Sequence, residues 1–296
     1  MLNVYEQIDK NKRQSLFIIG IFIGFVVAVG YALSYIYGGD ASYLIVALGI
    51  SFLGSFGSYY FSDKIALSIA GATPATRKTH SAYISAVENL SRVAGIPTPK
   101  TYLIDSPAMN AFATGRDPKH AAVAITQGLL DKLSRTELEG VVAHELSHIK
   151  NYDTRLMTLV AILVGSLTIA LDWVWRLNMY SGRNDDKGKN PLLLIAGIAL
   201  IILAPIIAQL IQLAISRRRE FFADAQAVML TRQPSGLISA LQKISRDNTP
   251  LEQATPTTAP LYISNPIHDG ALERWLGGLF STHPPVADRI KALSEV

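Results

Sequence analysis

The sequence has no cysteine. That excludes a disulfide framework, and it excludes thiolate ligands, so any metal site has to be built from His and carboxylate side chains. Charge is also scarce: only 17% of the 296 residues are Asp, Glu, Lys or Arg, and the mean hydropathy is +0.26. Both values point to a lipid bilayer as part of the solvent. The net charge of +4 matters less than its placement. Lys10, Lys12 and Arg13 precede one apolar run, and Arg217, Arg218 and Arg219 follow another. Such clusters read as membrane-surface charge. No nucleic-acid-binding motif accompanies them, so neither nucleic acid nor nucleotide is expected as a partner. There is no internal repeat.

Four apolar stretches are expected to span the bilayer: Ser15–Tyr37, Ala41–Phe61, Leu156–Trp175 and Pro191–Ile215. Each is near or beyond the roughly 20 residues needed to cross a hydrocarbon core. The third is the weakest, because Asp172 interrupts its far end, although Trp173 and Trp175 suit an interfacial belt. A buried hairpin arm is its alternative reading. The first stretch is too long for the core of a cleavable leader, and a second follows almost at once. Basic residues flank the outer ends of the first pair (Lys10, Lys12, Arg13; Lys64, Arg77, Lys78), and none lies in the link between them. The expected topology is therefore a multi-pass protein of the cell membrane with both termini cytoplasmic. The Arg176–Asn190 loop, with Arg176, Arg183, Lys187 and Lys189, runs against that rule. The first pair of spans outweighs it here.

Two polar segments, 62–155 and 216–296, then fall on the cytoplasmic side as one split domain; the transmembrane hairpin 15–61 precedes the first, and the hairpin 156–215 separates the two. Within it, Thr76–Val93 reads as an amphipathic helix ended by Gly95 and Pro97. Lys100–Asp105, Asn110–Thr114 and Ala121–Thr126 read as short strands, with another at Leu261–Ile263. Further helices are expected around Leu237–Ile244 and over Pro285–Ser294.

His144-Glu145-Leu146-Ser147-His148 is an HExxH motif, rare by chance in a chain with six histidines. Ser134 and Glu137 form a capping box ahead of it, so the motif falls on a helix. There His144 and His148 project from nearly one side and can share one Zn²⁺. Glu145 lies beside them and can take a proton from the attacking water. A catalytic zinc takes three protein ligands, and Glu220 is the best third. It sits on a helix continuing from the last span, one turn before Asp224, which can accept the free N–H of a ligating histidine. Spacing alone leaves a surface pairing of Glu220 with the nearby arginines equally open.

His144–His148, followed after an apolar hairpin by Glu220-Phe221-Phe222-Ala223-Asp224, resembles the HtpX family of membrane zinc peptidases. That family is similar to the CAAX prenyl-protein endopeptidases. Asn110-Ala111-Phe112-Ala113-Thr114-Gly115 and Thr282-His283-Pro284-Pro285 extend the likeness over almost the whole chain. The resemblance implies one zinc per chain on His144, His148 and Glu220, Glu145 as catalytic base and Asp224 behind the ligands. It also implies a mainly α multi-pass protein carrying a gluzincin-like α+β metallopeptidase domain with a small sheet. Membrane protein quality control under stress is the family's role, with polypeptides, membrane proteins among them, as substrates.

Three further expectations concern substrate. Asn110, Ala111 and Phe112 start an edge strand suited to pairing with an extended peptide. His283, or else Arg289, is expected to steady the oxyanion formed on attack. His80, His120 and His268 stand alone and read as structural or exposed. Two rival readings remain. A prenyl-protein endopeptidase has more spans around a large chamber. A non-catalytic scaffold with a structural zinc needs a fourth protein ligand and leaves Glu145 without purpose.

Overall fold

The first helix, α1 (Val4–Ile36), runs for 33 residues. Its Glu6–Tyr31 stretch has a mean hydropathy of 2.1 and is long and apolar enough to cross a membrane. The structure is a computed structural model that describes residues 4–36, 39, 41–165, 217–255, 258–266 and 284–295. α2 (Ser42–Tyr60) runs back along α1. At Phe61 the chain turns by 79° into α3 (Ser62–Ile69), so the second expected span is one arm of a bent pair. Large apolar side chains on the α1–α2 pair, Leu16, Phe17, Ile45 and Leu53 among them, are exposed rather than buried. That exterior suits lipid, not water. Of the third expected span only its start is described, as α7 over 153–165. The fourth lies outside the described residues. α7 packs on α1 through Leu156, Leu159, Val160 and Leu163 against Ile18 and Phe22.

The polar segments form a helical body around a four-stranded mixed sheet. β1 (Thr73–Pro74), β2 (Lys100–Ile104), β4 (His120–Thr126) and β3 (Ala111–Asp117) lie in that spatial order. β2 and β4 are parallel, and the other pairings are antiparallel. β3 is thus an edge strand of the sheet. Alternate small residues, Ala111, Ala113 and Ala121 on one face and Ala122 and Ala124 on the other, let helices approach closely on both sides. Gly115 has φ of 133°, and a Cβ there would meet the His120 carbonyl oxygen at 2.2 Å. This is where the β3–β4 register shifts, a position that only glycine adopts without strain.

α4 (Ser81–Ala94) covers one face of the sheet, with Tyr83, Val87 and Leu90 in the core and the Tyr83 hydroxyl donating to the Val123 carbonyl at 2.8 Å. It begins later than the pattern from Thr76 predicts. Thr76–Thr79 closes instead into a turn, through the Thr79 N–H to the Thr76 carbonyl and a bond between the two hydroxyls. Side-chain bonding of this kind competes with helix.

After α5 (Gln127–Lys132) comes α6 (Arg135–Lys150), whose capping box forms as expected: Glu137 N–H to Ser134 Oγ, and Ser134 N–H to Glu137 Oε2 at 2.6 Å. α6 is buried from Leu138 to Ile149 apart from Glu139, so it is the central helix of the body. From the second polar segment, α8 (Arg217–Thr231), α9 (Pro234–Arg246) and α10 (Val286–Ser294) close the core, with α8 and α9 against α6. Gly140 and Gly236 make that crossing possible. A Cβ on Gly140 would lie 2.7 Å from the Leu237 nitrogen, and one on Gly236 2.6 Å from the Thr136 carbonyl oxygen. The expected strand at Leu261–Ile263 appears as a 3₁₀ turn, Ala259–Leu261, followed by an isolated bridge between Tyr262 and Phe112.

Candidate metal centre and catalytic pocket

The capping box fixes where α6 starts, and a helix repeats every 3.6 residues. His144 and His148 therefore stack one turn apart on the side facing α8. Their Nε2 atoms lie 3.1 Å apart. Two nitrogens each about 2.0–2.1 Å from a tetrahedral zinc sit roughly 3.3 Å from one another, so the spacing fits a shared ion. Glu220, in the first turn of α8, completes the group. Its Oε2 is 3.7 Å from His144 Nε2 and its Oε1 3.5 Å from His148 Nε2. Among the described residues, His144, His148 and Glu220 form the group of ligand atoms, all within 4.8 Å of one another, that could hold a metal ion. Two imidazoles and one carboxylate are the donor set of a catalytic rather than a closed structural site.

Each histidine is turned by a carboxylate behind it. Asp224 Oδ1 lies 2.9 Å from His144 Nδ1, and Asp153 Oδ2 lies 3.0 Å from His148 Nδ1. Both Nδ1–H groups are engaged, which leaves both Nε2 atoms for the ion. Asp224 was anticipated from its place one turn after Glu220. Asp153 was missed. It follows the motif by five residues, past the end of α6, where helical spacing no longer predicts direction.

Burial and charge set the protonation states. Burial, reinforced by the Arg289 charge, pushes His144 down to about 4 against the pull of Asp224. That leaves the neutral imidazole a metal requires. Burial also opposes charge on His148, but the bond from Asp153 and the charges of Glu220, Asp153 and Glu145 prevail, and it rises to about 9. A divalent cation inverts that balance. Burial pushes Glu145 up to about 7, with Glu220 adding to it, while His148, Arg289 and the Ala113 N–H oppose. A carboxyl poised near neutrality suits a group that takes and returns a proton.

Arg289, given by the sequence as an alternate oxyanion donor, lies against the same group: its Nη2 is 3.4 Å from both Nδ1 and Nε2 of His144. Its Nε and Nη2 donate to Asp224 at 2.8 and 2.6 Å in a two-pronged pair, and its Nη1 is 3.5 Å from Glu220. It is fully buried, among the carboxylates of Asp224 and Glu220 and the His144 ring. His283 lies outside the described residues. Asn110 also turns to its own chain, to Ala111 and Ser264 rather than into the pocket. His80 is half-buried and His120 exposed, the latter paired with Asp117. The pocket is lined by His144, Glu145 and His148, by Ala113 of β3, by Thr154 and Met157 of α7, and by Leu261–Ile263.

A model of peptidase family M48 matches residues 78–296. The chain belongs to peptidase family M48. Its relatives include a protease HtpX homolog of Dictyoglomus turgidum, 47% identical over 98% of this chain and 93% of that one. Another, from Listeria monocytogenes, is 41% identical over 99% of this chain and the whole of its own. Among solved structures, Ste24p of S. mikatae shares the fold, with a TM-score of 0.51 at 19% identity over 97% of this chain. The M48 chain spans 66% of that longer protein. The protein is accordingly a peptide-bond hydrolase of the metalloprotease class, with an apolar helix long enough to cross a membrane ahead of its peptidase domain.

Proposed function

We propose that this M48 protein is a zinc endopeptidase held in the cell membrane by four apolar helices. It cleaves polypeptides, membrane proteins among them, at the cytoplasmic face, in the service of membrane protein quality control. The convergence of His144, His148 and Glu220 beside Glu145, at the foot of an edge strand, is the observation that carries this reading. Held by His144, His148 and Glu220, a zinc ion would supply Lewis-acid polarisation of the scissile carbonyl and lower the pKa of the attacking water. Glu145 accepts the water's proton and returns it to the leaving amine. Asp224 and Asp153 hold the two imidazoles in register, and Arg289 keeps Asp224 ionised and in place. The oxyanion donor in this reading is His283, or else Arg289, whose Nη2 lies 3.4 Å from His144 Nε2. β3, whose first residues Ala111 and Phe112 follow directly on Asn110, supplies the backbone edge on which an extended substrate aligns without strict sequence choice. The test is cleavage of unfolded casein by the purified full chain in detergent. Activity abolished by a chelator and restored by zinc supports the reading; metal-independent cleavage, or none, contradicts it.

A further inference from the structure

The reacting groups are buried. His144, Glu145, His148 and Glu220 are 0, 2, 6 and 4% exposed, and they meet the surface through a pocket. Part of the wall over them is Leu261–Ile263, which lines the pocket together with His144 and Glu145. That wall is fastened to the outer edge of β3. The Ile263 N–H donates to the Ala111 carbonyl at 2.9 Å. Phe112 and Tyr262 face each other across an antiparallel bridge, with their rings edge to face at 5.1 Å. Asn110 is the clasp. Its Nδ2 donates to the Ser264 carbonyl at 3.0 Å, and its Oδ1 accepts from the N–H groups of Ala111 and Ser264 at 3.0 and 3.4 Å.

The inner side of β3 is paired with β4. Its outer side is the side a further strand can join, and backbone groups at an edge are a template for any extended chain. Leu261–Ser264 takes that position through an isolated bridge and the Ile263–Ala111 backbone bond, a bond of the kind a substrate strand also makes. Exchange of one for the other swaps like for like, and its cost is correspondingly small. We infer that Leu261–Ser264 is an internal strand that competes with the substrate for the outer edge of β3, and that Asn110 is the positioning residue that holds it closed. The inference rests on the endopeptidase reading above.

The absence of cysteine makes the movement directly observable. Ile263 is 3% exposed. In the full-length Glu145→Gln/Ile263→Cys variant, a thiol reagent is expected to react slowly, and about tenfold faster with saturating unfolded casein, a shift in population of roughly 1.4 kcal/mol. Casein that binds without accelerating the reaction overturns the competing strand. Casein that does not bind overturns the endopeptidase reading and this inference with it.

A reversible lock provides the second test. The Phe112–Tyr262 pair is flanked by the Ile263–Ala111 bond, the pattern of the closer antiparallel pair with Cα atoms about 4.5 Å apart. That lies within the roughly 4.4–6.8 Å of a disulfide. The oxidised Phe112→Cys/Tyr262→Cys protein is expected to keep its zinc and lose cleavage, and reduction is expected to restore it. Equal cleavage by both forms, or no recovery on reduction, counts against the inference. Asn110→Ala is expected to lower KM with kcat unchanged, because more of the protein is open. A raised KM, or a fall in kcat, makes Asn110 a purely structural residue.

Discussion

Asn11, in the first helix of the chain, donates from Nδ2 to Asp153 Oδ1 at 2.6 Å across 142 residues of sequence. The other oxygen of Asp153 holds the His148 imidazole. The same Nδ2 reaches the Asn151 carbonyl at 2.9 Å, and Arg219, beside Glu220, donates to Asn11 Oδ1 at 3.3 Å. The helix that carries the apolar N-terminal run is therefore bonded directly to the carboxylate that orients the His148 ring. Asn11 is fully buried, where an unmade polar contact is costly.

Substitution of Asn11 by Ala is expected to weaken zinc binding, and Asp153→Ala more so, within the about 10–100-fold range of partners that orient a ligand. Competition with a chromophoric chelator measures it. Zinc affinity unchanged in both variants means that His148 keeps its orientation without Asp153, and the link to the first helix is idle.

The Arg289–Asp224 pair gives a stability prediction. Both groups are buried, and removing one partner of such a pair leaves an uncompensated charge. Arg289→Ala is expected to destabilise the protein by about 3–5 kcal/mol, and Arg289→Lys only partly repairs it, because an ammonium cannot copy the two-pronged contact. Thermal unfolding in detergent, with zinc content measured alongside, checks this. A variant as stable as the parent and fully loaded shows the pair to be dispensable.

Much of this arrangement is legible in the sequence, and the reasons for the rest are physical. The capping box of Ser134 and Glu137 marks where α6 begins, and HExxH spacing then dictates which side chains share a face. Glu220 and Asp224 are one turn apart on a single helix, so local periodicity brings them together. Asn11, Asp153 and the Leu261–Ser264 segment depend on packing between distant parts of the chain, which no local period records. Arg289 shows a different limit: its charge is visible in the sequence, but the direction of its guanidinium is set by α10 lying against α8. Thr76–Thr79 reads as helix by hydrophobic period, and its hydroxyls close a turn.

Glu137 gives the pH dependence. Burial works against its charge, but Lys243 at 2.8 Å, Ser239 at 2.5 Å and the Ser134 N–H outweigh it, and its pKa falls to about 2 from an ordinary 4.5. A depressed carboxyl contributes stability above its unfolded pKa and loses it as pH falls through the folded one. The thermal midpoint is expected to fall between about pH 4.5 and 2 through this group. Glu137→Gln is expected to be less stable at neutrality and to lose less on acidification. Parallel midpoint-against-pH curves for the two proteins contradict this.

Orientation is tested by cysteines placed in the cysteine-free chain. Ser181→Cys is expected to react with an impermeant thiol reagent in intact cells, and Ser235→Cys only after permeabilisation, as the basic flanks of the first two apolar stretches require. The reverse pattern places the peptidase domain outside.

The most direct measurement takes zinc content and casein cleavage from one preparation of the full-length Glu145→Gln protein. The substitution keeps the side-chain shape and removes the proton acceptor, leaving His144, His148 and Glu220 intact. The account predicts about one zinc per chain and a cleavage rate lower by about 10²–10⁴-fold, the contribution of a positioned general base. A zinc-loaded Glu145→Gln protein that cleaves casein at the parent rate contradicts it.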